Sequence, residues 1–220
     1  MPSLQVRHFL LAALLVFVGT TRAAGRANLV TNGDFSNPTN SLHGWKYQYT
    51  DEGQSFYKDN AGLVFVSPTQ AGKNQVLRLY VATQDLAENQ GVKVDGRPIP
   101  FEPGKHKFSV AAMSTGPNCR ILIEGYRWRP GIKPHSDPEL WELRKCYKFK
   151  QIYFGSQKAG TMGGVSSSWK SASSTFPDGK LSSLAQKKYD TIRFLVIHII
   201  GIGGGPGDLF VDDVSLEKLN

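Results

Sequence analysis

Glu124, Tyr126 and Trp128 occupy alternate positions of the stretch Glu-Gly-Tyr-Arg-Trp-Arg-Pro-Gly, residues 124–131. In an extended chain alternate side chains share a face, so one carboxylate and two large rings are presented together while Ile121 and Ile123 point the other way. Ring faces pack against the C–H face of a pyranose, and a carboxylate accepts hydroxyl hydrogen bonds, so such a face suits sugar recognition. The same rings would serve equally to cover a core beneath neighbouring chain. Arg78 alternates with Leu77 and Leu79 and adds a hydrogen-bond donor on a polar strand face. Tyr47 and Tyr49 alternate with Lys46 and Gln48 and could line a rim.

Other residues with chemical capacity read as structural. Trp45 follows Gly44 and is expected in the core; Trp141 is expected to anchor a short helix. His198 sits inside an apolar run and reads as a buried histidine with satisfied hydrogen bonds. No Gly-x-Ser-x-Gly elbow and no His-Glu-x-x-His helix occurs. Glu124, Glu139 and Glu142 could supply the two carboxylates of a glycosidase, but their spacing does not demand it. The glycine-rich stretch Gly201–Gly207 has Pro206 where a dinucleotide loop needs glycine and precedes a strand, so it reads as a hairpin loop. The basic residues around Trp128 could suit single-stranded nucleic acid, which an exported chain would not meet.

The elements that must position these side chains are mostly strands. Runs rich in Val, Ile, Phe and Tyr alternate with Gly, Pro, Asn and Asp clusters. Strands are predicted over Asn28–Phe35, Gln75–Thr83, Gly91–Val94, Lys105–Ser114, Arg120–Trp128, Tyr147–Phe154, Ser173–Phe176, Thr191–Ile200 and Leu209–Leu216. One helix is predicted, capped by Asp137, with Pro138 at its first position and Glu139–Lys145 as its body. Residues 155–174, rich in Gly and Ser, read as a long exposed loop. The predicted fold is all-β, an antiparallel β-sandwich of jelly-roll type with one short inserted helix.

Residues 1–23 have the plan of a secretory leader: Arg7, then the apolar run Phe9–Val18, then small residues ending at Ala23. The run is about half the ~20 residues needed to cross a bilayer. A secreted, extracellular or periplasmic protein with one domain over residues 24–220 is expected, without a membrane span and as a monomer. The formal charge is +8, from 26 Lys and Arg against 18 Asp and Glu; loss of Arg7 and Arg22 with the leader would leave +6. In a basic exported protein such charge has two readings, attraction to anionic glycans, cell walls or membrane surfaces, or simple solubility. Cys119 and Cys146 form an even pair in an exported chain and are expected to close a disulfide loop, worth roughly 3.5 kcal/mol by chain entropy; the alternative is two buried thiols.

Four segments carry a family resemblance: Asn-Leu-Val-Thr-Asn-Gly-Asp-Phe-Ser-Asn-Pro at 28–38 with Gly44-Trp45, Phe101–Ser114, Ser167–Gly179, and Tyr189–Leu216. In this order they resemble carbohydrate-binding modules of families 4, 9 and 22, within the galactose-binding-domain-like jelly rolls. The resemblance implies a sugar-holding sheet or loop rim, with Trp45 and Trp169 as structural rings. It also implies a structural calcium ion. Asp212 matches the acid of the last strand, but Ser36 stands where the family often has Glu, so Asp34 or the Gly33 carbonyl would have to replace that ligand. Residues 127–160 depart from the pattern as an insertion, which the Cys119–Cys146 bridge would pin down. The expected function is non-catalytic polysaccharide binding by Tyr126, Trp128, Glu124, Arg78, Tyr47 and Tyr49. The alternatives are a protein-binding surface module, and a glycan hydrolase with an unfamiliar carboxylate pair.

Overall fold

The computed structural model describes residues 27–40, 42–47, 64–67, 75–85, 91–154 and 168–219. Tyr49, the leader and most of the Gly/Ser-rich segment lie outside them. Eleven strands are described: β1 (Trp45–Tyr47), β2 (Val64–Ser67), β3 (Val76–Val81), β4 (Val92–Gly96), β5 (Ile99–Pro100), β6 (His106–Ser114), β7 (Asn118–Trp128), β8 (Leu143–Phe154), β9 (Lys170–Phe176), β10 (Phe194–Ile202) and β11 (Gly207–Lys218). They form two antiparallel sheets, as the alternating pattern predicts. The first runs β1-β4-β10-β7-β8, with β5 also paired to β10; the second runs β2-β3-β11-β6-β9.

Leu77, Leu79, Phe108, Val110, Leu209 and Val211 of the second sheet meet Ile121, Ile123, Ile197 and Ile199 of the first in one buried core. Trp45 joins it as expected: its ring lies 5.5 Å from Phe35 and its Nε1–H donates to the Asn32 carbonyl at 3.1 Å. The first sheet also buries residues on its outer face. Tyr126, Leu143, Phe194 and Val196 form a second cluster there, with Trp128 and Leu140 packed against it. Burial on both faces explains why 194–200 reads as an apolar run interrupted only by His198 rather than as an alternation.

Four local readings are corrected. Residues 28–35 are not a strand: Asn32 and Phe35 take positive φ of 49° and 52° around a turn, and the segment meets β11 through two isolated backbone bonds, the Leu29 amide to the Leu216 carbonyl and the Val214 amide to the Gly33 carbonyl. The predicted helix contracts to one 3-10 turn, Leu140–Glu142, with Glu139 and Glu142 in a reciprocal capping box. Leu143–Cys146 belong instead to β8, because pairing with β7 satisfies their backbone groups. A helix the sequence reading missed, α1 (Ser183–Tyr189), starts at Ser182, whose Oγ accepts the Ala185 amide at 3.3 Å. Finally, Gly203 and Gly204, at φ 71° and 75°, do not turn a hairpin; they carry the chain from one sheet to the other, since β10 and β11 pair in different sheets.

The disulfide is also overturned. Cys119 and Cys146 are both free. Cys119 lies opposite Phe154 at one end of the β7–β8 ladder, whereas Cys146 lies beside Gly125, whose carbonyl its thiol meets at 3.4 Å. That offset of about six residues is ~20 Å along a strand, far beyond the roughly 7 Å Cα separation a disulfide allows. Cys119 is wholly buried in the core and burial pushes its thiol pKa up.

Candidate functional site

The alternation predicted for β7 holds: Ile121 and Ile123 face the core, and Glu124, Tyr126 and Trp128 face outward from the first sheet. The display predicted for them does not. Tyr126 is only 9% exposed and Glu124 4%. The insertion is the cause. After Trp128 the chain leaves the sheet, crosses back as a strap over residues 129–142, and re-enters as β8. The Arg129 amide donates to the Glu142 carbonyl at 3.0 Å and its Nε to the Leu143 carbonyl at 2.9 Å, closing the strap at its base. Trp128 is half-buried beneath it, edge-on to Phe194 at 5.3 Å and 5.1 Å from the His135 ring. The rings serve as cover.

Beneath this cover lies a chain of polar groups. His198, 2% exposed, stands across from Asp95, also 2% exposed. Its Nδ1 bonds Asp95, its Nε2 lies 3.1 Å from the Tyr126 hydroxyl, and that hydroxyl donates to Glu124 at 3.3 Å. These bonds are all satisfied at once when both imidazole nitrogens carry protons: Nδ1–H to Asp95, Nε2–H to Tyr126, and the tyrosyl O–H to Glu124. Burial works against the charge on His198, but the bonds to Asp95 and Glu124 outweigh it and raise its pKa. Burial likewise opposes the Glu124 charge, and His198 and Lys145 together still lower its pKa. Burial, then the neighbouring carboxylates, raise the Tyr126 pKa, so its hydroxyl stays protonated. Lys93 closes one end at 3.1 Å from Asp95 and Lys145 the other at 3.3 Å from Glu124. The histidine is structural, as its apolar context suggests, and Glu124 is committed inside the fold rather than offered to a ligand.

The displayed ring is Trp141, 66% exposed, which the sequence reading assigned to a helix anchor. It sits in the 3-10 turn of the strap and lines two recesses. One, about 350 Å³, lies between the strap and the first sheet and is bounded by His43, Trp45, Lys46, Arg97, Asp137 and Glu139. The other, shallower and about 760 Å³, is lined by Tyr126, Arg129, Pro130, Leu140, Leu143, Arg144 and Lys145. Two ion pairs hold the strap against the sheet: Arg97 Nη2 with Asp137 at 2.5 Å, and Lys46 with Glu139. The capping box fixes the turn itself, the Glu139 amide donating to Glu142 at 2.7 Å. His135 meets Glu142 at 3.0 Å, and this bond, with the Glu139 amide, lowers the Glu142 pKa.

The remaining predicted residues are not brought together. Arg78 is on β3 in the other sheet, bonded to Asp208 at 2.5 Å and 5.6 Å from the Tyr80 ring. The Tyr47 backbone pairs with Val94 at the sheet edge near the first recess. Two of the implied calcium ligands are engaged within the chain. The Gly33 carbonyl accepts the Val214 amide at 2.9 Å, and Asp34 accepts the Ser36 amide and hydroxyl at 3.3 and 2.9 Å. Asp213, rather than Asp212, lines the recess they share. A calcium ion needs six to eight oxygens, and no group of three or more His, Cys, Asp or Glu among the described residues is placed to hold a metal.

No family model matches the chain, and no curated protein matches it. Similar solved structures are mostly carbohydrate-binding modules. A family 16 module is 13% identical over 87% of this chain and 100% of its own, with a TM-score of 0.47. A family 61 module solved with β-1,4-galactotriose is 12% identical over 88% and 99%, with a TM-score of 0.45. A family 11 module from Clostridium thermocellum, solved with a β-1,3-1,4-mixed-linked tetrasaccharide, is 14% identical over 84% and 92%, with a TM-score of 0.46. These likenesses assign no residue role to this chain. No helix among the described residues is long and apolar enough to cross a membrane.

Proposed function

We propose that this chain is an exported, non-catalytic carbohydrate-binding module whose contact ring is Trp141. The observation that carries the reading is the mounting of that indole. A large apolar ring is held two-thirds exposed on a turn fixed by a capping box and two ion pairs, between two recesses lined by hydrogen-bonding groups. Exposing an indole forfeits burial energy of about 1.5–3 kcal/mol, and fixing it in place adds ordering cost. A rigid ring with polar groups on both sides suits a pyranose, which offers an apolar face and a rim of hydroxyls. The carboxylates nearest the ring favour binding over hydrolysis. Glu139 and Asp137 form the strap's ion pairs, Glu142 caps the turn, and Glu124 is buried, so none is poised as a general acid opposite a nucleophile. Export rests on the leader plan of residues 1–23.

Isothermal titration and affinity electrophoresis against xylan, mixed-linkage β-glucan, galactan, cellulose and charged polysaccharides test this. Trp141→Ala should weaken whichever interaction is found by about 2 kcal/mol, roughly thirtyfold, with near-ultraviolet dichroism and melting unchanged. A folded wild-type chain that binds no member of the panel, or a variant that binds equally well, would overturn the reading.

A further inference from the structure

The recess beside Trp141 does not end at the strap. Arg144 and Lys145 also line a neighbouring recess of about 310 Å³, whose other walls are Arg127, Cys146, Lys187, Lys188 and Thr191. With Arg129 on the Trp141 side, six cationic side chains border a track of two recesses, which meet over the edge strand β8 at their shared Arg144 and Lys145, and neither recess has a carboxylate in its lining. All six are exposed. Only Lys145 meets a carboxylate, Glu124; Arg127, Arg144, Lys187 and Lys188 form no ion pair among the described residues.

Three features set this track apart from a solubilising surface. Arg127 and Arg144 are direct partners across the β7–β8 ladder. Like charges directly opposite one another destabilise a ladder where an opposite pair would support it. Second, Lys187 and Lys188 arrive from a separate element. Helix α1 turns Tyr189 inward against Phe101 and Phe149, and the same docking sets its two lysines on the rim of β8. Third, the Arg129 guanidinium is already oriented by its bond to the Leu143 carbonyl. β8 is an edge strand, and charge there also discourages edge-to-edge pairing, but charge of either sign would do that.

We infer that the track from Trp141 across β8 to α1 binds an anionic polysaccharide, one bearing carboxylate or sulfate groups along its chain. This rests on the carbohydrate-binding reading and narrows its ligand class. A chain stacked on Trp141 and extending along the second recess passes the guanidinium pair and then the two lysines. Guanidinium forks match carboxylate and sulfate oxygens in bidentate fashion.

The test measures affinity of the full chain for polygalacturonate, alginate and heparin, for neutral xylan and β-glucan, for vesicles of 30% phosphatidylserine, and for single-stranded DNA, at 50 and 200 mM NaCl. An anionic polysaccharide should bind at least tenfold tighter than any neutral one at 50 mM. With about four cations engaged at a slope of ~0.7 each, its affinity should fall roughly fiftyfold at 200 mM. The charge-reversed variant Arg144→Glu/Lys187→Glu/Lys188→Glu keeps the edge charged and gives Arg127 an opposite partner, so it should fold normally and lose that binding. Uronate and sulfate arms differing in affinity identify which anion is preferred. Neutral chains bound as well as anionic ones would overturn the inference and leave carbohydrate binding standing; no glycan bound at all would remove both. Tighter binding to vesicles or DNA than to any glycan, or a triple variant with undiminished affinity, would also overturn it.

Discussion

Replacing His198 with Gln removes one positive charge from between two buried carboxylates. Breaking such a buried arrangement by deleting one partner costs about 3–5 kcal/mol, because the opposing charge is left uncompensated. The geometry places this case at the low end. Lys93 stays 3.1 Å from Asp95 and Lys145 stays 3.3 Å from Glu124, so neither carboxylate loses every cation. About 3 kcal/mol in a domain of this size corresponds to a fall in melting temperature of roughly 6–12 °C. The pH profile adds a signature that a packing defect would not produce. The His198 pKa is raised in the fold, so its contribution is complete below the ordinary histidine value and is lost as pH climbs through the native one. The Glu124 pKa is lowered, so its contribution is present above the ordinary glutamate value and lost as pH falls through the native one. Calorimetric melts of the wild type between pH 4 and 9 should therefore decline on both flanks. In His198→Gln the part of the alkaline decline that begins above about pH 6.5 should disappear. Parallel profiles for the two proteins from pH 6 to 9, or a variant melting within about 2 °C of the wild type, would refute a protonated His198.

Four further outcomes are expected. Thiol titration of the native, unreduced chain should find no disulfide: Cys119 unreactive in the core, Cys146 slow, and both counted once the chain is denatured. Reductant should leave the melting temperature unchanged. Gly33→Ala should destabilise by about 2 kcal/mol or more, read by denaturant titration, because a Cβ there would fall 1.9 Å from the Val214 carbonyl oxygen. Lys46→Met with Arg97→Met should barely alter stability, since exposed pairs contribute about 0–1 kcal/mol; glycan titration should nevertheless show weaker binding, because the strap carrying Trp141 is then tethered less firmly. Chelation with EDTA should shift the melting curve by less than about 1 °C; a drop of several degrees would show a bound structural ion, and Asp34→Ala and Asp212→Ala would then test whether these residues hold it.

Strand positions were legible wherever one face is buried and the other wet. His106–Val110 and Leu77–Val81 each show that alternation, and the structure places both within strands. The sidedness of β7 was equally readable, because a period of two decides which residues share a face. What lies over that face was not, because coverage depends on where an insertion returns, and the strap's route from Arg129 to Leu143 leaves no period in the sequence. Trp141 was misassigned for a related reason. The cap expected at Asp137 falls instead at Glu139, Asp137 being held by Arg97, and the turn ends where β7 offers Leu143 a ladder partner. α1 escaped notice because it buries only Tyr189, so no apolar stripe marks it; Ser182 at its start was the available signal. Asn28–Phe35 misled in the opposite direction, its Asn-Gly-Asp core being a turn within an apolar-looking frame.

The place of β11 has a consequence for how the molecule comes to exist. β11 lies in the middle of its sheet, between β3 and β6, and it also receives Asn28, whose side-chain amide donates to the Val214 carbonyl at 3.1 Å and whose side-chain oxygen accepts the Leu216 amide at 3.0 Å. Until Gly207–Lys218 has been synthesised, β3 and β6 have no common partner and the two halves of that sheet cannot zip together. Such distant pairing makes folding slow. A polypeptide arranged this way leaves the ribosome still open and threadable, and locks only after Gly207–Lys218 has cleared the tunnel.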